Sequence, residues 1–411
     1  MNIMVLGAGV VGVTTAYALA RRGCNVTIVD QANTVASGAS FANGGQLSYS
    51  FVDPMASLPF LLKLPAIALG RDSSIQMKLS TDIDLFKWGV GFAKECLSLG
   101  RYTKLREALT LAIESRTELE RLLTEHAISF RHRPAGKLVV TRNSKQLSRL
   151  TKAAAIKREM GIDIVAVNRE QCLEHCSEIR TGMNDIVGGV YAPGDTVGDA
   201  RRFTEALALY ASERYGLKIR LKRKIERLLT DGKQVVGVRT DREDFSADAV
   251  VVCLGAAAPE FLKNYAIKAP ILPVKGYSVA LPAQENTASI SLTDLDNKIV
   301  FSKLDNEVRI AGLSDFGESG NEINPERVLY LEALAKKLMP NIGDYSHVGK
   351  AWAGLRPMTP DGLPITGPTS LRNLYLNTGH GMLGWTFASG SAERLAKSLL
   401  SIKQPRMEIA A

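Results

Sequence analysis

Apolar positions change period several times along the chain, and each change marks an element. Residues 3–7 are an uninterrupted apolar run and predict a buried strand. Residues 10–22 predict a helix with small residues on its packing face, and 25–30 (NVTIVD) predict a second strand. Strand, helix, strand in this order is a βαβ opening, and a parallel sheet follows from it. Residues 54–100 are rich in apolar residues without a clear period and are expected to be irregular. Leu105 to Leu123 reads as a long amphipathic helix, followed by a strand at Lys137–Thr141, a helix over 145–160 and a strand in IDIVAVN. A helix from Arg201 to Tyr215 leads into expected strands over 217–229, 234–240 and 248–254. The last of these, ADAVVVCLGAAA, is fully apolar and breaks at Gly255, as a buried parallel strand does. In 260–345 the alternating segments YSVAL, KIVFSKL and EVRIAGL predict a second, strand-rich lobe. A strand (LYLNTG), a glycine turn and a helix to about 402 close the chain. The expectation is an α/β protein with interleaved domains. A Rossmann-type cofactor domain would take 1–52, 196–258 and 350–411, and a β-rich, antiparallel substrate domain would take 53–195 and 259–349.

The composition fits two globular domains sharing a cleft: 411 residues, 45% apolar and 23% charged. Five scattered cysteines (24, 96, 172, 176 and 253) describe no disulfide framework and point to a reducing compartment. No signal-peptide pattern and no run of 18 apolar residues occurs, so a cytoplasmic or cytoplasm-facing protein is expected. Part of the formal charge of +9 lies in Lys218, Arg220, Lys222, Arg223, Lys224 and Arg227. No aromatic residues interleave with these charges to stack bases, so the segment reads as a solvated strand face rather than a nucleic-acid site. Cys172, His175 and Cys176 are one ligand short of a closed metal site, on a segment that reads as helical, and no metal is expected.

Gly7-x-Gly9-x-x-Gly12 follows the first strand directly and opens the first helix. The first glycine permits the tight turn, the second admits a pyrophosphate to the backbone, and the third lets helix and strand pack closely. N–H groups at Val10 and Val11 then face the phosphates with the positive end of the helix dipole. Asp30 ends the second strand, beside Gln31, where a carboxylate accepts from ribose hydroxyls and disfavours a 2′-phosphate. NAD and FAD share this fingerprint, and three features favour FAD. A small-residue loop, Ser37 to Gly45 with Ser40, Asn43 and Gly44, continuing to Gln46, lies where it would run along the pyrophosphate. A late apolar strand ends at Gly255 on the same sheet edge. The turn carrying Gly379, His380, Gly381, Met382, Leu383 and Gly384 opens a helix whose N–H groups suit the N1–C2=O edge of a flavin, where reduction accumulates negative charge.

These segments, with SFANGGQLS, GGVYAPGDTVGD, PVKGYSVALP, GLRPMTPDGLPITG and LYLNTGHGMLGWTFASGSA, carry a resemblance over essentially the whole chain. The sequence resembles the FAD-dependent amino acid oxidoreductases of the D-amino acid oxidase superfamily, and most closely the bacterial D-amino acid dehydrogenases of the small-subunit type. The resemblance implies that Arg356 clamps the substrate carboxylate, a role that its planar fork and apolar setting support. It also implies that Thr386 and the N–H groups of Met382 to Gly384 contact the flavin pyrimidine, and that backbone at Ile225 lies near the adenine. His380 is expected to be part of the flavin-facing turn rather than a base. Tyr277 and Tyr49 are candidates for the substrate pocket wall, with core positions as the alternative.

The implied reaction is hydride transfer from the α-carbon of a D-amino acid to flavin N5, giving a 2-oxo acid and ammonia after hydrolysis. The alternative is a secondary amine or imino acid substrate such as proline, D-hydroxyproline, sarcosine or glycine, possibly in a hetero-oligomeric enzyme. For the acceptor, a quinone at the cytoplasmic membrane surface is expected. Residues 58–69 form a short, Leu-rich, proline-broken stretch around Lys63, which suits either the core or peripheral contact with lipid. Phe86, Trp88 and Phe92 would then add an aromatic edge.

Overall fold

The structure is a computed structural model and describes residues 1–78, 83–285, 287–318 and 320–402. Its frame is a six-stranded sheet in the order Lys218–Arg220, Asn25–Val29, Asn2–Leu6, Ala249–Val252, Leu374–Thr378, Ile365–Pro368. Neighbours run parallel except at the last pair, which is antiparallel. The central strands are buried on both faces, which is why their sequences are continuously apolar rather than alternating. The helix Val10–Ala20 packs on this sheet against the helices Ala200–Tyr215 and Gly384–Ile402. The third glycine sets the closeness of that packing. A Cβ on Gly12 would stand 1.9 Å from the Gly7 carbonyl oxygen.

The second frame is a nine-stranded, mostly antiparallel sheet. Its path runs Trp352–Met358, Leu272–Pro282, Glu307–Phe316, Ile299–Leu304, Ser291–Asp294, Lys137–Thr141, Gly188–Ala192, Val165–Asn168, with Ile75–Met77 beside Glu307–Phe316. The helix Pro325–Leu338 covers one face, burying Leu331 and Ala335 in one core cluster with Tyr277, Val279 and Leu281. The other face looks toward the six-stranded sheet.

Three expectations change. The single strand expected over 217–229 is two, because Lys222 turns the chain at φ +56. Lys218–Arg220 edges the parallel sheet, and Ile225–Asp231 starts a separate three-stranded meander. The stretch 54–100 is not irregular. It holds short helices at Leu58–Leu61 and Leu64–Ala68, the strand Ile75–Met77 and the fifteen-residue helix Ile83–Leu97. Trp88 and Phe92, one helical turn apart, are buried and stacked on each other, with the Trp88 indole N–H donating to the Met358 carbonyl. Only Phe86 of the three aromatic residues is exposed. Finally, Trp352–Met358, inside the expected cofactor segment 350–411, is hydrogen-bonded into the nine-stranded sheet. Cys172 and Cys176 lie in the core, and His175 stacks on Tyr191.

Candidate active site

Between the two sheets lies a cavity of about 1790 Å³. At one end it is lined by Gly7, Gly9, Val10 and Val11, by Asp30 and Gln31, and by Ile225, Glu226 and Gly255. Gly7 adopts φ +105, and its missing Cβ would collide with the Cys253 carbonyl oxygen at 2.5 Å. Gly9 differs, because a Cβ there meets nothing nearer than Ser40 Oγ at 3.5 Å. Its open side faces the cavity, as a cradle for a ligand's phosphates requires. Asp30 accepts from the N–H groups of Ala8 (2.7 Å) and Ala32 (2.8 Å), which fixes its carboxylate at the strand end. Ser40 Oγ accepts from the Val10 N–H at 3.0 Å, so the loop 37–46 caps the helix terminus. Ser37, Asn43, Gly44, Gly45 and Gln46 of that loop also line the cavity.

The C-terminal turn forms a further wall. Gly379 and Gly381 take φ +79 and +56, conformations that favour glycine, and bring His380, Met382, Leu383, Gly384 and Thr386 to the cavity at the start of the helix Gly384–Ile402. Burial pushes His380 down to about 3, so the ring is neutral at physiological pH. Its Nε2 is 2.8 Å from Ser391 Oγ, behind the turn. A neutral, buried and already bonded imidazole matches a structural part of the turn.

Arg356 comes from the edge strand of the other sheet. Its Nη1 donates to the Leu313 carbonyl (2.8 Å) and to Ser314 Oγ (3.2 Å), and Nη2 donates to the Gly312 carbonyl (3.4 Å). A β-bulge arranges this. The register slips opposite Gly276, Leu313 takes φ +60, and its carbonyl turns toward the guanidinium. Burial pushes Arg356 down to about 10, against a partial upward pull from Asp315. Asp315 itself is paired at 2.6 Å with Arg327. Among the described residues no carboxylate lies within ion-pair range of Arg356, and the surface it keeps opens on the cavity. A half-buried guanidinium that lacks a carboxylate partner among the described residues and opens on the cavity has donors to offer a ligand there.

The two candidate wall residues differ: Tyr277 is among the residues lining the cavity and Tyr49 is not. Tyr277 alternates with Gly276 and Ser278 along its strand, so its side chain enters the core on the opposite face, hydrogen-bonded to Asp315. Tyr49 is buried in the other core cluster, near Asp195 and Thr196, and does not line the cavity. Burial raises both phenols above their ordinary range. Sequence reading missed Gly276, Trp352 and Lys137, which do line it. Gly276 was legible as a glycine inside an alternating strand, a usual mark of close approach. Lys137 left no such signal.

Such a two-sheet architecture, with a glycine-lined strand-to-helix turn at one end of the cavity and an arginine in the wall of the other sheet, defines a class of dinucleotide-dependent oxidoreductases. The model of the FAD dependent oxidoreductase family, DAO, matches residues 2–398, and this chain belongs to that family. Its cofactor is FAD. A D-amino acid dehydrogenase of Dechloromonas aromatica (strain RCB) is 38% identical over 99% of both chains. Among solved structures, the fold is similar to L-proline dehydrogenase from P. horikoshii (TM-score 0.77, 19% identity, 99% of this chain and 95% of that one). It is similar also to glycine oxidase from Geobacillus kaustophilus (TM-score 0.76, 22% identity, 99% and 96%).

Proposed function

We propose that the protein oxidises the C–N bond of a small D-amino acid and passes the electrons to a quinone or a similar acceptor. The observation that carries this reading is Arg356, a half-buried cation with no carboxylate in ion-pair range among the described residues, held by a bulge in the wall of the FAD cavity. Its fork would take the α-carboxylate in two parallel hydrogen bonds and set the α-carbon in one orientation. Bound FAD supplies the oxidant that accepts the α-hydrogen as hydride, leaving an imino acid that water hydrolyses to a 2-oxo acid and ammonia. The Gly379–Gly384 turn would present backbone N–H groups and a helix dipole to the cofactor edge that becomes negative. Ile225 and Asp30 would hold the adenosine half, and Thr386 the pyrimidine. The D hand is supported by the name of the relative at 38% identity. The test is anaerobic mixing of the purified protein with both enantiomers of a panel of amino acids. Bleaching by D-enantiomers with release of ammonia is expected. Bleaching by L-enantiomers alone, or by secondary amines alone, would replace this reading.

The acceptor reading rests on the rim of the same cavity. Pro59, Phe60, Lys63, Leu99 and Tyr102 line it, and next to them Leu58, Leu62, Leu69, Phe86 and Leu97 are exposed, with Leu99 fully so. Lys63, Arg71, Lys87 and Arg101 lie in the same segments. An apolar rim studded with cations suits a peripheral contact with anionic lipid, through which an apolar quinone would reach the cavity. No helix among the described residues is long and apolar enough to cross a membrane. Co-sedimentation with anionic vesicles is expected to be lost when Leu58, Leu62, Phe86 and Leu99 are changed to serine. Turnover with a soluble quinone should exceed turnover with oxygen. A protein that ignores vesicles and prefers oxygen refutes this part while leaving the amino acid reading intact.

A further inference from the structure

Lys137 is a buried cation for which the reaction above has no use. It begins the strand Lys137–Thr141 at 4% exposure, and its ammonium reaches the cavity wall. Nζ donates to Gln46 Oε1 at 2.6 Å and to Ser48 Oγ at 2.7 Å, and it stands 5.5 Å from the centre of the Phe51 ring. Among the described residues, the other buried lysines and arginines have carboxylates: Lys157 has Asp53, Lys275 has Glu318, Arg309 has Asp199 and Glu307, and Arg327 has Asp315. Lys137, among the described residues, has none in ion-pair range.

The charged and titratable groups around it are accounted for. Asp195 spends both oxygens on Ser50, accepting from its N–H and its hydroxyl. Lys157, over the same Phe51 ring, is neutralised by Asp53. Tyr49 stays protonated, since burial and Asp195 both raise it. Burial pushes Asp195 up and Lys137 down to about 8, so their attraction offsets only part of the cost of burying each. A lysine kept in this setting is held by what its hydrogen bonds organise. Gln46 has its oxygen fixed by Lys137 and Thr293 and its amide N–H₂ by the Leu292 carbonyl. Ser48 donates its N–H to Thr386 Oγ1 at 3.1 Å. The chain of contacts thus runs from the nine-stranded sheet, through the loop that follows Gly44 and Gly45, to the first turn of the C-terminal helix.

We propose that Lys137 is a positioning residue of the FAD site. It locks the 46–48 segment against Thr386 through Gln46 and Ser48, and it places a positive charge in the wall that faces the cofactor. This rests on the reading of the loop through Gln46 as running along the FAD pyrophosphate and of Thr386 as a contact of the flavin. As pH rises through the Lys137 transition the wall loses one positive charge while the hydrogen bonds can persist through the neutral amine. The bound cofactor therefore senses a change that an arginine in this place would not undergo.

The test uses FAD itself and needs no turnover. Apoprotein of the wild type, Lys137→Met and Lys137→Arg is titrated with FAD, and the visible spectrum of the bound oxidised flavin is followed from pH 6.5 to 9.5. The wild type should show a spectral step near pH 8, absent from both variants. Lys137→Met should weaken FAD binding on the order of tenfold, the effect of removing a charged donor from one buried and one half-buried acceptor, while Lys137→Arg binds within threefold of wild type. A step that persists in Lys137→Arg overturns the proposal, and so does a Lys137→Met protein that binds FAD within twofold of wild type. Should Lys137→Met fail to fold, the arginine variant still decides. Failure of the wild type itself to bind FAD would instead remove the cofactor reading.

Discussion

The guanidinium of Arg356 lies on Gly276. A Cβ built on that glycine would stand 2.2 Å from Nη2 and 2.3 Å from Cζ, closer than any real contact. The two residues belong to adjacent antiparallel strands, where Gly276 pairs with Gly354 and Val274 with Arg356. A side chain absent on one strand thus makes the bed for the clamp on the next.

Gly276→Ala is accordingly expected to displace the guanidinium without affecting the phosphate end of the cavity. FAD content should stay near wild type, and flavin reduction by substrate should slow by roughly two decades, because positioning of the carboxylate is lost. Stopped-flow reduction at saturating and limiting substrate checks it. A rate within threefold of wild type would show that Arg356 does not need this bed.

Removing the clamp should cost more. Arg356→Ala deletes the guanidinium that would hold the substrate carboxylate, and a loss on the order of 2–5 kcal/mol in kcat/KM is expected, with FAD retained. Arg356→Lys should recover only part of this, since an ammonium restores the charge but not the parallel pair of donors. Equal rates for the lysine variant and the wild type would mean that charge alone matters.

The second and third glycines of the first turn should fail differently. Gly9→Val has room in the protein itself, with Ser40 Oγ at 3.5 Å as the nearest obstacle, so it should fold and purify colourless. Gly12→Ala drives a methyl into the Gly7 carbonyl at 1.9 Å and should lose folded protein instead. Circular dichroism with flavin absorbance separates the outcomes; a yellow Gly9→Val protein contradicts the cradle.

His380 makes stability depend on acid. Its folded value is lowered to about 3, so between about 6.5 and 3 the unfolded chain holds a proton that the folded one refuses. Its contribution is complete above pH 6.5 and is lost as pH falls through that window, by up to ~1.4 kcal/mol per pH unit. Denaturant unfolding at pH 7.5 and 5 should give a smaller difference for His380→Gln than for the wild type. An unchanged pH slope would place the acid sensitivity elsewhere.

How much was legible in the sequence follows from how local each feature is. The βαβ opening, the glycine fingerprint, Asp30 and the C-terminal glycine turn are each a short run whose period and turn chemistry specify the backbone, and they were readable in order. Arg356 was legible only through its resemblance to a known clamp, since nothing local says that its nearest acid is already committed to Arg327. What only the tertiary structure decided is which face each strand residue meets. Tyr277 and Gly276 are neighbours in one alternating strand, and the β-period sends them to opposite sides, but strand pairing alone chooses which side holds the cavity. The same holds for Trp88 and Phe92, whose helical spacing allowed either a lipid edge or a core, until Met358 and Phe316 from distant strands closed over them. Lys137 is the extreme case. A lysine at the start of an apolar strand reads as a solvated end, and only Gln46 and Ser48, about ninety positions earlier in the chain, turn it into a buried charge. Local periodicity encodes the elements, whereas the dielectric around a charge is a property of everything folded against it.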